Sequence, residues 1–487
     1  MQKDHIALQS CMDNEHRRTM LAAIVFMELA ACAYAGKGIF VYPTVLQERT
    51  TTKNLIIRLT DQITLNLQKS SVLAETLLFA TSKAQKTEVE LVNTTSIEER
   101  LYHDIHHQSS VVVQQRNGAV EVEGILSSNL RIKPILESER SFLGQIMHKI
   151  YEVNETKGNL KYSVKHKLNY QTKKYDASRR SMESTRVDNF ILEVHVLSDR
   201  AHNKHFRTAE ALIIYLAVMA NAANLRYEDM KKPSVRIRLV GITRSKYEPF
   251  AVRNQGTVDA DKSLDALVEH NRKGRIPGHF DVLYWITGEN LSGVENGVLD
   301  TSFSGLAYTG RLCTSQGVAE GEDIATSYSG ARTMAHELAH TMGASHDKTP
   351  RCPWSEGFLM SYVDGGTKKY TLSPCSRDKI RTTLQNVSPR CRTVLSDTNY
   401  MAKRKHYPGQ EISDRKYCAR MLRLNAQENN VIFNKTPRLS TKCKMECCPR
   451  GLPKNCLIVD ILEGMSCSRQ KTCRRGVCGF HVWPKFD

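Results

Sequence analysis

Three histidines and a glutamate lie within one short stretch of this 487-residue chain: His336, Glu337, His340 and His346. Their types and spacing could do chemistry together. On a helix His336 and His340 sit one turn apart on the same face, so both imidazoles reach one ion while Glu337 projects beside them. Gly343 has no Cβ and takes positive φ at little cost, so it can end that helix and swing the chain round to deliver His346. Three protein ligands leave a fourth position for water, the arrangement of a catalytic rather than a structural zinc site. The pattern therefore predicts one catalytic Zn2+ on His336, His340 and His346, with Glu337 as the general base. Two histidines four residues apart also occur on ordinary polar helix faces. The glycine, the third histidine and a downstream methionine, Met360 in Gly357-Phe358-Leu359-Met360-Ser361-Tyr362, make coincidence a poor account.

Such residues need a scaffold, and the flanking sequence supplies one. Residues 190–197 alternate as a strand and 208–225 carry apolar residues at helical spacing. Residues 235–242 read as a second strand, 262–272 as a helix, 281–286 as a third strand, 330–341 as the histidine-bearing helix and 376–385 as a last helix. Strands alternating with helices predict a twisted mixed sheet, and about 200 residues suffice to bury a core.

The motif from His336 to Asp347, with Met360 beyond it, resembles the metzincin clan, and within it the reprolysin (adamalysin) family. Asp347 follows the third histidine where astacins typically carry Glu and matrixins Ser. The resemblance runs from about Arg186 to Cys391. It implies that Met360 forms a turn beneath the zinc histidines and that Gly305, Leu306, Ala307 and Tyr308 form an edge strand along which an extended substrate lies. It also implies disulfides Cys313–Cys391 and Cys352–Cys375 and a calcium site involving Glu193 and Asp281. Tyr362 stands where astacins hold a zinc-side tyrosine, and a structural, hydrogen-bonded role is the preferred reading for it. The fold class expected is an α/β metzincin catalytic domain, preceded by a mostly β prodomain and followed by a small disulfide-rich domain.

The chain begins with His16-Arg17-Arg18, an apolar run from Met20 to Leu29 too short to span a bilayer, and Ala33-Tyr34-Ala35, which together read as a signal peptide spanning residues 1–35. No later segment is apolar enough to cross a membrane, so the expected product is secreted. Cysteine usage fits an oxidising compartment. After Cys11 and Cys32 the next cysteine is Cys313; four lie between there and Cys391, and eight between Cys418 and Cys478. Eight cysteines allow 105 pairings, and sequence does not choose among them. Sequons at Asn93, Asn154, Asn290, Asn386 and Asn434 permit glycosylation. Residues 36–180 contain no cysteine and show strand-like alternation at 111–113 and 120–125, which suits a prodomain ending at the dibasic Arg179-Arg180. A thiolate on zinc cannot be its inhibitory device. The protease domain is then 181–395.

Residues 396–487 change character. Glu463-Gly464-Met465-Ser466-Cys467 and Cys473-Arg474-Arg475-Gly476-Val477-Cys478 resemble the disintegrin-like and cysteine-rich modules that follow the protease in thrombospondin-type reprolysins and in secreted tick salivary metalloproteases. From residue 392 onward 19 Lys and Arg face 8 Asp and Glu, a balance of +11 within the chain's +18. A basic, stapled tail suits heparin-like glycans or acidic protein surfaces, and nothing resembles a nucleic-acid reader. The reading is a secreted zinc metalloendopeptidase acting on extracellular proteins, by resemblance matrix or plasma proteins such as fibrinogen or fibronectin. The rival is an extracellular binding protein acting through its tail, which the retained Glu337 argues against.

Overall fold

A computed structural model describes residues 38–49, 54–153 (apart from 85–86 and 117–118), 161–165, 187–394 (apart from 296–297), 396, 408–422 and 430–483 (apart from 452–455, 463 and 475). The expected signal peptide, the Arg179-Arg180 site and the Asn154 sequon lie outside these residues.

The N-terminal region is a nine-stranded antiparallel sheet from Gly38–Val41 to His148–Glu152. Alternation in Ser109–Arg116 and Ala119–Ile125 turns Val111, Val113, Val120 and Val122 to one side, where they pack on Ile57, Leu65 and Leu67. The catalytic stretch is built on an eight-stranded mixed sheet. Its order is Lys161–Lys165, Phe303–Tyr308, Val318–Glu322, Val282–Thr287, Asn189–Ser198, Ser234–Ser245, Leu73–Ser82, Thr87–Asn93. The central strands run parallel, while Phe303–Tyr308 is antiparallel to Val318–Glu322. The strands read from sequence are therefore present, within a residue or three at their ends.

Two strands of the N-terminal region, Leu73–Ser82 and Thr87–Asn93, extend this sheet, and sequence gave no hint of that. Leu73, Leu77 and Phe79 are buried in the same core as Leu192, Val194, Ile237 and Leu239. The helix Ala209–Leu225 explains how. It starts at Thr208, whose Oγ1 accepts from Ala211 N at 3.1 Å, and is apolar almost all round, so it must be covered on every side. The sheet covers one face, and the N-terminal sheet covers another: Ser110 Oγ donates to Val218 O at 2.8 Å, and Asn221 Nδ2 to Ser110 Oγ at 2.9 Å.

The tail holds two three-stranded sheets stapled by Cys418–Cys447, Cys443–Cys473, Cys448–Cys456 and Cys467–Cys478. Its core also takes in Ile56 of the N-terminal sheet, and Arg58 Nη1 donates to Met421 O at 3.1 Å. No helix among the described residues is long and apolar enough to cross a membrane.

Candidate metal centre

The helix Ala331–Thr341 carries His336, Glu337 and His340, and all three are fully buried. Its start is fixed by Asp323: Oδ1 accepts from Gly330 N at 2.7 Å, while Oδ2 takes Tyr215 Oη at 2.6 Å and lies 3.0 Å from His202 Nε2. A carboxylate at the first turn also suits the helix dipole. Its end is fixed by Gly343 at φ +103°, where a Cβ would meet Thr383 Oγ1 at 2.1 Å. Only glycine fits there, and the turn carries His346 back under the helix.

The three Nε2 atoms converge: that of His346 lies 3.1 Å from His336 and 3.2 Å from His340. The opposite ring atoms are held in place. His336 Nδ1 lies 2.8 Å from Leu359 O and His340 Nδ1 2.7 Å from Ala344 O. A carbonyl only accepts, so both rings carry their proton on Nδ1 and turn a bare Nε2 lone pair inward. His346 Nδ1 meets Tyr362 Oη at 2.6 Å. Tyr362 is thus hydrogen-bonded, as expected, and its partner is the third histidine. Burial and the two neighbouring imidazoles hold His336 well below the usual histidine range, which keeps it in the neutral, ligating form. These three residues could hold a metal ion.

Two further observations fit a cation. Both carboxylate oxygens of Glu337 are buried with no hydrogen-bond partner, and burial pushes its carboxyl well above the ordinary range. An orphaned buried carboxylate is costly unless something charged or protic is meant to meet it. Gly305 on the strand Phe303–Tyr308 makes room for it: a Cβ there would sit 2.7 Å from Glu337 Oε1.

Met360 is fully buried in the turn that positions these groups, and Met360 O accepts from Asp347 N at 3.1 Å. Asp347 served the sequence reading only as a family marker. Here Oδ1 accepts from Ser373 Oγ at 2.6 Å and Ser376 Oγ at 3.2 Å, tying the segment after His346 to the helix Pro374–Gln385. Cys313 is bonded to Cys391 and Cys352 to Cys375.

On the strand Phe303–Tyr308, the side chains of Leu306, Ala307 and Tyr308 are buried, and Tyr308 Oη donates to Asp265. One backbone edge pairs with Val318–Glu322. The other pairs in parallel with Lys161–Lys165, in the register Ser163↔Leu306 and Lys165↔Tyr308. The sequence does not announce this strand, because five residues carry too little alternation to show one.

Glu193 and Asp281 are neighbours. Asp281 Oδ2 accepts from Glu193 N at 2.9 Å, and Glu193 Oε1 accepts from Ser396 N at 2.9 Å and Ser396 Oγ at 2.6 Å. Burial pushes the Asp281 carboxyl up to about 7, against the pull of the hydrogen bond from Glu193 N and with the help of the Glu193 charge.

Residues 191–386 match the family model Reprolysin_5, metallo-peptidase family M12. A venom metalloproteinase, antarease, from Tityus serrulatus is 23% identical over 400 residues, covering 76% of this chain and 97% of that protein. A venom metalloproteinase from Olivierus martensii is 25% identical over 361 residues, covering 71% and 89%. Metalloproteinase-II from Bacteroides fragilis aligns over 74% of this chain and 95% of its own at 13% identity, but a TM-score of 0.36 is too low to say anything of the fold. The stretch 191–386 is accordingly a reprolysin-type metallopeptidase domain of family M12. The protein is a zinc metalloendopeptidase.

Proposed function

We propose that this peptidase is secreted as a latent precursor and cuts extracellular proteins, matrix or plasma proteins among them, at the His336–His340–His346 centre. The observation that carries the reading is the convergence of three Nε2 atoms beside a buried, unpartnered Glu337. Zinc held by the three imidazoles would supply Lewis acidity, polarising the scissile carbonyl and lowering the pKa of water toward about 7. Glu337 takes a proton from the attacking water and hands it to the leaving amine. Leu359 O, Ala344 O and Tyr362 Oη keep the imidazoles aimed. The substrate adds as a strand to Gly305–Tyr308, so backbone groups supply affinity while side-chain pockets supply selectivity.

Latency follows from the same edge. Residues 161–165 occupy the backbone groups a substrate would use, and with no cysteine between residues 36 and 180 the block is non-covalent. Incubating the secreted precursor with an organomercurial should leave it inactive, whereas cleavage near Arg180 should release activity and a new terminus at Ser181. Activation by the mercurial alone would contradict the reading.

The basic tail supports binding to heparin-like glycans. A chain ending near Cys391 should elute from heparin at lower salt yet cut short peptides as well as the full protein does; equal retention would argue against it. Glu193 and Asp281 support a calcium site, which would show as calcium-dependent thermal stabilisation lost in Asp281→Asn.

A further inference from the structure

We propose a second metal site, built from His106 and His107 of the N-terminal sheet and Asp460 of the tail, that takes a divalent cation of the zinc class and clasps the two regions together. His106 Nε2 lies 3.7 Å from Asp460 Oδ1, and His107 Nε2 lies 3.6 Å from Oδ2. All three donor atoms fall within 4.8 Å of one another. Donors around a tetrahedral zinc, at about 2.0–2.2 Å from the ion, stand about 3.3 Å apart. The 3.6 Å between His107 Nε2 and Asp460 Oδ2 is within a few tenths of an ångström of that. Two imidazoles and one carboxylate are a donor set such ions accept.

The donors are held before any ion arrives. His106 and His107 sit in the turn between the strands Leu101–Asp104 and Ser109–Arg116. Asp104 shapes that turn, its Oδ1 accepting from His106 N at 2.8 Å and His107 N at 3.4 Å. Asp460 ends the strand Leu457–Asp460, and its backbone oxygen accepts from Tyr417 Oη at 3.2 Å. The three side chains are 9%, 19% and 8% exposed, so the site is nearly dry.

Two neighbours bear on the charge. Lys444 Nζ pairs with Asp460 Oδ1 at 2.8 Å. A cation bound through Oδ2 leaves that pair in place, the usual situation of a ligating carboxylate whose second oxygen is hydrogen-bonded. His107 Nε2 also lies 3.1 Å from Thr64 O, a contact it must exchange for the ion.

Because two donors belong to the N-terminal region and one to the tail, the site exists only while these stay joined. It would hold the tail in register on the N-terminal sheet.

The test is metal content of the full-length chain equilibrated with zinc. Wild type should hold about two zinc ions and His106→Ala/His107→Ala about one. His340→Ala/His346→Ala should also keep about one, which the added His106 and His107 changes remove. To guard against misfolding, the His340→Ala/His346→Ala chain is loaded with Co2+. It should show visible d–d absorption that His106→Gln or Asp460→Asn abolishes while the melting profile persists. A folded His340→Ala/His346→Ala chain with no zinc and no cobalt spectrum would overturn the second site. Full zinc retention in that same chain would instead count against the catalytic centre alone.

Discussion

The eight-stranded sheet has an N-terminal segment at each of its two edges, and the two are built differently. At one edge the strand Leu73–Ser82 pairs with Ser234–Ser245, and Leu73, Leu77 and Phe79 sink into the catalytic core. At the other, Lys161–Lys165 lies along Phe303–Tyr308 beside Glu337. The first edge is part of how the fold is stabilised; the second is held by a short backbone ladder along the strand proposed above to receive the substrate. The region that leads the chain thus meets the sheet in two ways, through a shared core on one side and a short backbone ladder on the other, and under the latency proposed above only the ladder has to open.

The largest effect expected from this contrast is on stability at the shared-core edge. Phe79→Ala should cost about 3–5 kcal/mol in denaturant unfolding of the full chain, because a buried ring leaves a cavity. Replacing residues 161–165 at the other edge by Gly-Ser should change unfolding little, since only a short ladder is lost, yet it should raise peptide hydrolysis by the uncut chain. Equal destabilisation by both would erase the distinction. Next in size is Gly305→Ala. Its Cβ would displace the Glu337 carboxylate, so kcat/KM of the activated enzyme should fall on the order of 10-fold or more with zinc content unchanged.

A smaller, pH-dependent effect tests the shared-core edge again. Glu98 Oε1 accepts from Val72 N at 2.8 Å and Oε2 from Leu73 N at 3.2 Å, just where Leu73–Ser82 begins. Burial raises its carboxyl to about 7, against the opposing pull of those hydrogen bonds. With the folded value above the unfolded one, the folded state binds more protons between about pH 4.5 and 7, so this group's contribution falls as pH rises through that window. The loss is at most about 3 kcal/mol, and Glu98→Gln should flatten this part of the stability profile. An unchanged profile would show that Glu98 does not titrate there.

How much of this was legible beforehand follows from chain distance. His336, Glu337, His340, Gly343 and His346 are close in sequence, and a helix followed by a glycine turn fixes their geometry, so their convergence can be read from spacing. The strands and helices of the catalytic stretch were legible for the same reason, their periodicity being local. The partners that finish the site come from farther off. Leu359 O, Asp323 and the contact that leaves Gly305 no room for a Cβ beside Glu337 are identifiable only once the sheet and the 358–361 turn are in place, because such long-range contacts leave no sequence pattern. The sharing of one core by Phe79 and Leu239, and the meeting of His106, His107 and Asp460, depend on pairings between distant segments that hydrophobic patterning alone does not specify.

The central claim is that Glu337 performs the proton transfer while the histidines hold the ion, and the direct test is zinc content and peptide hydrolysis of activated Glu337→Gln measured on the same sample. Full zinc occupancy of the catalytic site with a loss of about 10²-fold or more in turnover is the predicted result. Wild-type-like turnover, or loss of that zinc along with the activity, would contradict it.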